Sequence, residues 1–177
     1  MNKPLLTISQ KINTKALEDA VKSLAKKSLY VGIAKGSSGD KREDGAPDNH
    51  LLGFVHENGS PSANIPPRPF LVPGVESVKE KVKDSMAKAM ELALKGKEQE
   101  CDVVLERTAI QTATAVKDYM STADFEPLKP ATIRNRHRTR LTKSKREEEI
   151  NEDASKIQPL INTGSLRNSI DGYFVKE

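Results

Sequence analysis

Tryptophan is absent from this chain of 177 residues, cysteine occurs once, and Phe and Tyr together number seven. Cys101 alone cannot form an internal disulfide, so a disulfide-stapled scaffold is excluded and a reducing cytosol fits. No apolar run approaches the roughly 18 residues that a membrane-spanning helix needs, so such a helix is excluded. The start, MNKPLLTISQK, has no long apolar stretch and no small-residue cleavage site, which argues against a secretory signal. Apolar residues make up 36% and aromatics 4%, against a usual apolar share of about 45–50%. The composition therefore describes a modest core with extended polar segments. The length suits a single domain over 1–177 with surplus for loops or arms. Net charge is +4, a mild bias that by itself establishes no nucleic-acid partner.

Chemical motifs are also scarce. Ser23-Leu-Ala-Lys26 and Ser85-Met-Ala-Lys88 have the S-x-x-K spacing of serine acyltransferases, yet both lie inside lysine-rich amphipathic helices without the partner motifs. A solvated helix face is the better reading. His56-Glu57 would suggest a zinc helix only with a second His four residues on, where Ser60 stands. His50, His56 and His137 lack a Cys or carboxylate pattern that could close a coordination shell. GSSGDK, at 36–41, lacks the spacing that aims backbone amides at phosphates. The expectation is a non-enzyme with no cofactor and no metal.

What is present centres on residues 65–73. Pro66, Pro67, Pro69 and Pro73 fall within eight positions, interleaved with Arg68, Phe70, Leu71 and Val72. Each proline fixes its own φ and restrains the residue before it. The stretch reads as a stiff extended strap that cannot be helical, with Pro73 placed as the first residue of a long helix. Ile65, Phe70, Leu71 and Val72 are expected to anchor it to the helical layer or to an adjacent protomer. Arg68 is expected to project outward to a carboxylate or carbonyl.

Around the strap the chain reads in order. Residues 4–12 form a strand, and a helix capped by Thr14 carries Leu17, Ala20, Val21 and Leu24 on one face. Residues 28–33 form a second strand, which the helix crossover would allow to lie parallel to the first. A charged, glycine-rich loop at 35–49 precedes a short helix at 50–58 that Gly59 stops, with Leu51, Leu52 and Val55 on one side. Val75, Val78, Val82, Met86, Ala89 and Ala93 form a helical seam up to Gly96, with Glu76 and Glu80 near its positive end. Leu105, Ala109, Thr112, Val116 and Tyr119 or Met120 form another over 99–120. The pair is either a hairpin or one kinked rod. Pro127 and Pro130 bracket a turn, with Thr132 capping a short helix through Ile133. Tyr173 to Val175 reads as a closing strand. The fold class is α+β: a small mixed or antiparallel sheet on two long helices and a shorter N-terminal helix.

A charged arm spans about 134–158. Arg134, Arg136, Arg138, Arg140, Lys143, Lys145 and Arg146 are followed by a run of acids. Those seven cations could grip a polyanion such as DNA through its phosphates. No aromatic interleaves with them, so base stacking is not supported. A small basic nucleic-acid-binding protein is the alternative reading.

Two stretches carry a family resemblance. LGFVHENGSPSANIPPRPFLVPGVE, residues 52–76, combines an aromatic, a Glu-x-Gly turn and a proline strap ahead of a long helix. PLKPATIRNR (127–136), a variable insert and PLINTGSLRNSI (159–170) follow, the last including Thr163, Gly164, Leu166, Arg167, Ser169 and Ile170. In this order they resemble the tail-completion and virion-morphogenesis proteins of tailed bacteriophages. The resemblance implies a structural protein of the virion neck, assembled in the host bacterial cytoplasm. It implies a homo-oligomeric ring, usually hexameric, that caps the tail tube and joins it to the head. Its partners would be neck, connector and tail-tube proteins, near DNA in the channel and with no membrane. The insert at 137–156 and the loop at 35–49 depart from the family's commonest pattern.

Overall fold

The computed structural model describes residues 14–34, 47–140 and 157–176. The strand read over 4–12, most of the 35–49 loop and the arm beyond Arg140 lie outside them. The fold is α+β, with helices α1 (Thr14–Ala25), α2 (Asn49–Asn58), α3 (Leu71–Glu76), α4 (Lys79–Leu94), α5 (Glu98–Thr122), α6 (Pro130–Arg140) and α7 (Ser165–Asn168). Strands β1 (Lys27–Ile33) and β2 (Ile170–Lys176) complete it, pairing antiparallel from Lys27↔Lys176 to Ile33↔Ile170. Among the described residues β1 thus pairs antiparallel with the closing strand, while the arrangement of β1 with the strand read over 4–12 lies outside them.

α5 is the axis. Cys101, Leu105, Thr108, Ala109, Thr112, Ala113, Val116 and Met120 are buried at three- and four-residue spacing, so one stripe of the helix faces the interior throughout. Much of that stripe is small. It lets α3 approach until a Cβ on Gly74 would stand 2.8 Å from Val116 Cα, and lets β2 approach closer still at Gly172. Burying Thr108 and Thr112 would strand their hydroxyls, but these donate to the carbonyls of Val104 and Thr108, each at 2.7 Å.

α4 and α5 form an antiparallel hairpin, which decides between the two sequence alternatives. Gly96 turns the chain at φ +70°, a region that costs glycine nothing. The Lys97 N–H donates to Leu92 O at 2.9 Å and the Gly96 N–H to Ala93 O at 3.0 Å, closing the end of α4 in a Schellman motif. Two apolar clusters flank α5. Ala20, Ala89, Ala93, Cys101 and Leu105 pack at its N-terminal end, backed by Leu29 and Phe174. Phe70, Val116, Met120, Phe125, Leu160, Leu166 and Ile170 pack at its C-terminal half.

Several seams turn differently from their periodicity. On α1 Ala20 is buried, while Leu17 and Val21 are exposed. Met86 is exposed on α4, and Leu51 on α2, where Asn49 and Gly53 face inward instead. α6 starts at Pro130 and runs to Arg140, with Thr132 inside it rather than as its cap.

Candidate functional site

The proline strap is extended only as far as Phe70. Leu71, Val72 and Pro73 open the six-residue helix α3, and the long helix α4 begins after a break at Ser77 and Val78. A proline is forbidden in a helix because it lacks an N–H and its ring meets the carbonyl four residues back. In the first turn neither objection holds, so the exemption reaches the third position as well as the first. Ser77 Oγ donates to Gly74 O at 2.7 Å, a back-bond of the kind that bends helices.

The first amides of α3 would be orphans, since Phe70 provides no side-chain cap. Glu57, at the end of α2, supplies the acceptors. Its Oε2 accepts the N–H groups of Phe70 and Leu71, each at 2.8 Å, and its Oε1 accepts that of Val72 at 3.0 Å. The next residue, Pro73, has no N–H to satisfy. A single carboxylate therefore caps a helix thirteen residues further on, its charge facing the positive end of the helix. Between them, Gly59 at φ +77° leaves no room for a Cβ, which would stand 2.9 Å from Pro67 N. The Glu-x-Gly turn and the strap are one device.

Arg68 turns inward. It is 5% exposed, with Nε donating to Glu126 O at 2.7 Å and Nη2 to Pro127 O at 3.1 Å. The expected carbonyl partners are there, but on the buried side. Phe70, 1% exposed, fills the cluster against α5. Leu71 packs against its margin, whereas Val72 is exposed and belongs to neither apolar cluster of the described residues. Ile65 closes a bridge with Ser60.

The C-terminal signature arrives at the same cluster. Gly164 takes φ +80° ahead of α7, and the Ser165 N–H donates to Thr163 Oγ1 at 3.3 Å. Leu166 and Ile170 are buried in the cluster, and buried Ser169 donates its hydroxyl to Leu166 O. Arg167 Nε donates to Lys117 O at 3.1 Å and to Ser121 Oγ at 2.8 Å, while Gln158 Nε2 donates to Ser121 O at 2.6 Å. The Gln158 bond fills a carbonyl left open at the end of α5, and Arg167 sets a cation near its negative pole.

The basic run divides. Arg134 is exposed. Arg136 donates to the carbonyls of Gln158, Pro159 and Ile161, at 2.6 to 3.3 Å, and so ties α6 to the C-terminal segment. Its guanidinium serves the fold, which removes it from the outward-facing cations of a polyanion grip. The side chains of Arg138 and Arg140, and all of Lys143, Lys145 and Arg146, lie outside the described residues.

Electrostatics bind both ends of α5. At the N-terminal end Lys27, its side chain 6% exposed, lies 2.5 Å from Glu98 Oε2 and 3.0 Å from Asp102 Oδ1. Lys176, the last residue of β2, pairs with the other Asp102 oxygen. Burial would lower the Lys27 pKa, but Glu98 and Asp102 outweigh it and hold it above 10.5. The hydrogen bond from Lys27 holds Glu98 below 4.5. Burial alone would raise Asp102, yet Lys176 and Lys27 hold it below 3.8. At the other end burial, then the Arg68 and Arg136 cations, push His56 below 6.5.

The sign for stability follows from which state takes up protons first. His56, Glu98 and Asp102 all bind protons more readily in the unfolded chain, so stability falls as pH drops. The loss begins below about pH 6.5 with His56 and steepens below about 4.5 with the two carboxylates. Lys27 acts in the opposite direction, its contribution lost only as pH rises beyond about 10.5. Urea midpoints at about pH 7.5, 5.5 and 4 should decline in that order. A midpoint at pH 4 equal to that at 7.5 would contradict these pairings.

Ser23 Oγ donates to Glu98 Oε2 at 2.8 Å instead of meeting a lysine. Among the described residues no group of three or more His, Cys, Asp or Glu could hold a metal ion. None of their helices is long and apolar enough to cross a membrane. In comparison with known proteins, the chain matches no family model, no curated protein and no solved structure.

Proposed function

We propose that this chain is a structural subunit of the neck of a tailed bacteriophage. As a tail-completion or tail-terminator protein it forms a homo-oligomeric ring that caps the finished tail and joins it to the filled head. One observation carries the reading. The two sequence motifs that resemble this family, distant along the chain, meet in one cluster on the C-terminal half of α5. Their polar residues are spent on helix caps and carbonyl ties: Glu57 on α3, Arg68 on the 126–127 turn and Arg167 on α5. Residues invested in this way shape a scaffold. The apolar side chains left exposed on α1, α2 and α4 suit a subunit completed by its neighbours. Deleting the gene from the parent phage tests the reading. Filled heads without tails should accumulate beside free tails, and normal infectious virions lacking the protein would end it.

A further inference from the structure

Among the described residues, apolar side chains are exposed together in two separate places. The first is a groove of about 230 Å³ between α2 and the strap, lined by Ile33, Gly53, Phe54, Phe70 and Leu71 together with the polar His50, Glu57 and Asn58. Phe54, 63% exposed, stands at its side, and Leu51 and Val72 are exposed on the same two helices. The groove is below the roughly 300–1,000 Å³ of small-molecule pockets and has few polar groups, so it suits inserted side chains rather than a metabolite. The second patch is a ridge on α4: Met86, Met90 and Leu94, spaced four apart and therefore on one helix face, all exposed. Leu17 and Val21 extend exposed apolar character onto α1, which packs beside α4 through Ala20, Ala89 and Ala93.

The patches adjoin different clusters: the groove the Phe70 cluster, and the ridge the cluster around Cys101. Both are fixed on one folded chain, which therefore does not cover the one with the other. Their charges are opposite. In residues 47–76, which carry the groove, Glu57 is spent on capping α3 and Arg68 on carbonyls, which leaves Asp48, itself the cap of α2, and Glu76 as the remaining charged side chains. Residues 79–97, which carry the ridge, hold six lysines against three acids.

We propose that the groove beside Phe54 receives the Met86–Met90–Leu94 ridge of a second copy of this chain, in a head-to-tail contact. The inference rests on the ring reading above and names its interface. Methionine suits the task, being unbranched and able to fill an irregular groove. A self-complementary pairing of groove with groove would set acidic segments against each other and leave both ridges bare. A groove-to-ridge contact uses both patches once per subunit, and such contacts close into rings when the rotation allows.

Two variants of exposed residues test it. Phe54→Arg spoils the groove and leaves the ridge intact, whereas Met90→Glu spoils the ridge and leaves the groove intact. The full wild-type chain should give a discrete particle of more than two copies by native mass spectrometry. Each variant alone should be monomeric with an unchanged circular dichroism spectrum, and an equal mixture of the two should yield a particle of one copy of each. Leu51→Arg and Leu94→Glu serve as the second pair should either first variant fail to fold. A wild type monomeric at every concentration overturns the interface and the ring reading together. A wild type that stops at two copies overturns the head-to-tail form. Variants that still assemble, or a mixture that stays monomeric, overturn this interface and leave the ring reading standing.

Discussion

Replacing Phe70 with alanine should cost about 3–5 kcal/mol, the range for emptying a fully buried aromatic site. Phe70 is 1% exposed and packs with Val116, Met120, Leu166 and Ile170. These come from α5, α7 and the start of β2, elements fixed independently of the strap, so they have little freedom to collapse into the void. For a chain of this length the melting temperature should fall by about 10 °C or more. Val72→Ala is the matching control. Val72 sits two residues on and is 57% exposed, so its truncation should change stability by no more than about 0.5 kcal/mol. Equal melting temperatures for wild type and Phe70→Ala would remove the strap from the core.

Gly172→Ala should be nearly as damaging for the opposite reason. A Cβ there would stand 2.1 Å from Ala109 O, 2.3 Å from Ala109 C and 2.9 Å from Ile110 N. All three are backbone atoms of α5 and cannot rotate away, so β2 must retreat from the helix. β1 is hydrogen-bonded to β2, with Val31 directly opposite Gly172, and must follow. Leu29 and Phe174 would then lose their packing on the cluster at the start of α5. The cost should reach the upper end of the about 1–3 kcal/mol typical of overpacking, or exceed it. Gly32→Ala provides the contrast, since a Cβ at Gly32 meets nothing within 4 Å. It should leave thermal unfolding within about 0.5 kcal/mol of wild type. Similar losses at Gly32 and Gly172 would mean that strand propensity, and not contact with α5, decides the outcome.

How far the sequence disclosed this structure differs from element to element. The seam of α5 is legible because burial on one side of a helix leaves a three- and four-residue period. Gly96, Gly59 and Gly164 are legible as stops and turns because the backbone there takes a positive φ. The proline strap misleads at its end. Four prolines argue against a helix only where amides need partners, and the first turn of α3 is exempt once Glu57 serves it. Glu57 was visible inside the Glu-x-Gly turn, but a bond from a side chain to a backbone thirteen residues away leaves no periodic trace. The same holds for Arg68 and Arg136, which look like solvated cations in sequence and prove to be clamps on carbonyls.

The seams of α1 and α4 fail in another way. Amphipathic spacing reports that a face is apolar, not what covers it. Leu17, Val21 and Met86 read as core and are exposed, and so are Met90 and Leu94 beside Met86 on α4. On the head-to-tail account part of that spacing records contact with a neighbour. A low apolar fraction and many exposed apolar side chains are then two sides of one property: part of this subunit's core lies between copies.

The most direct test of that property is to image the purified full chain by negative-stain electron microscopy. Closed rings of uniform diameter with a central opening are the predicted result. Dispersed single chains, or open filaments of indefinite length, would contradict the account.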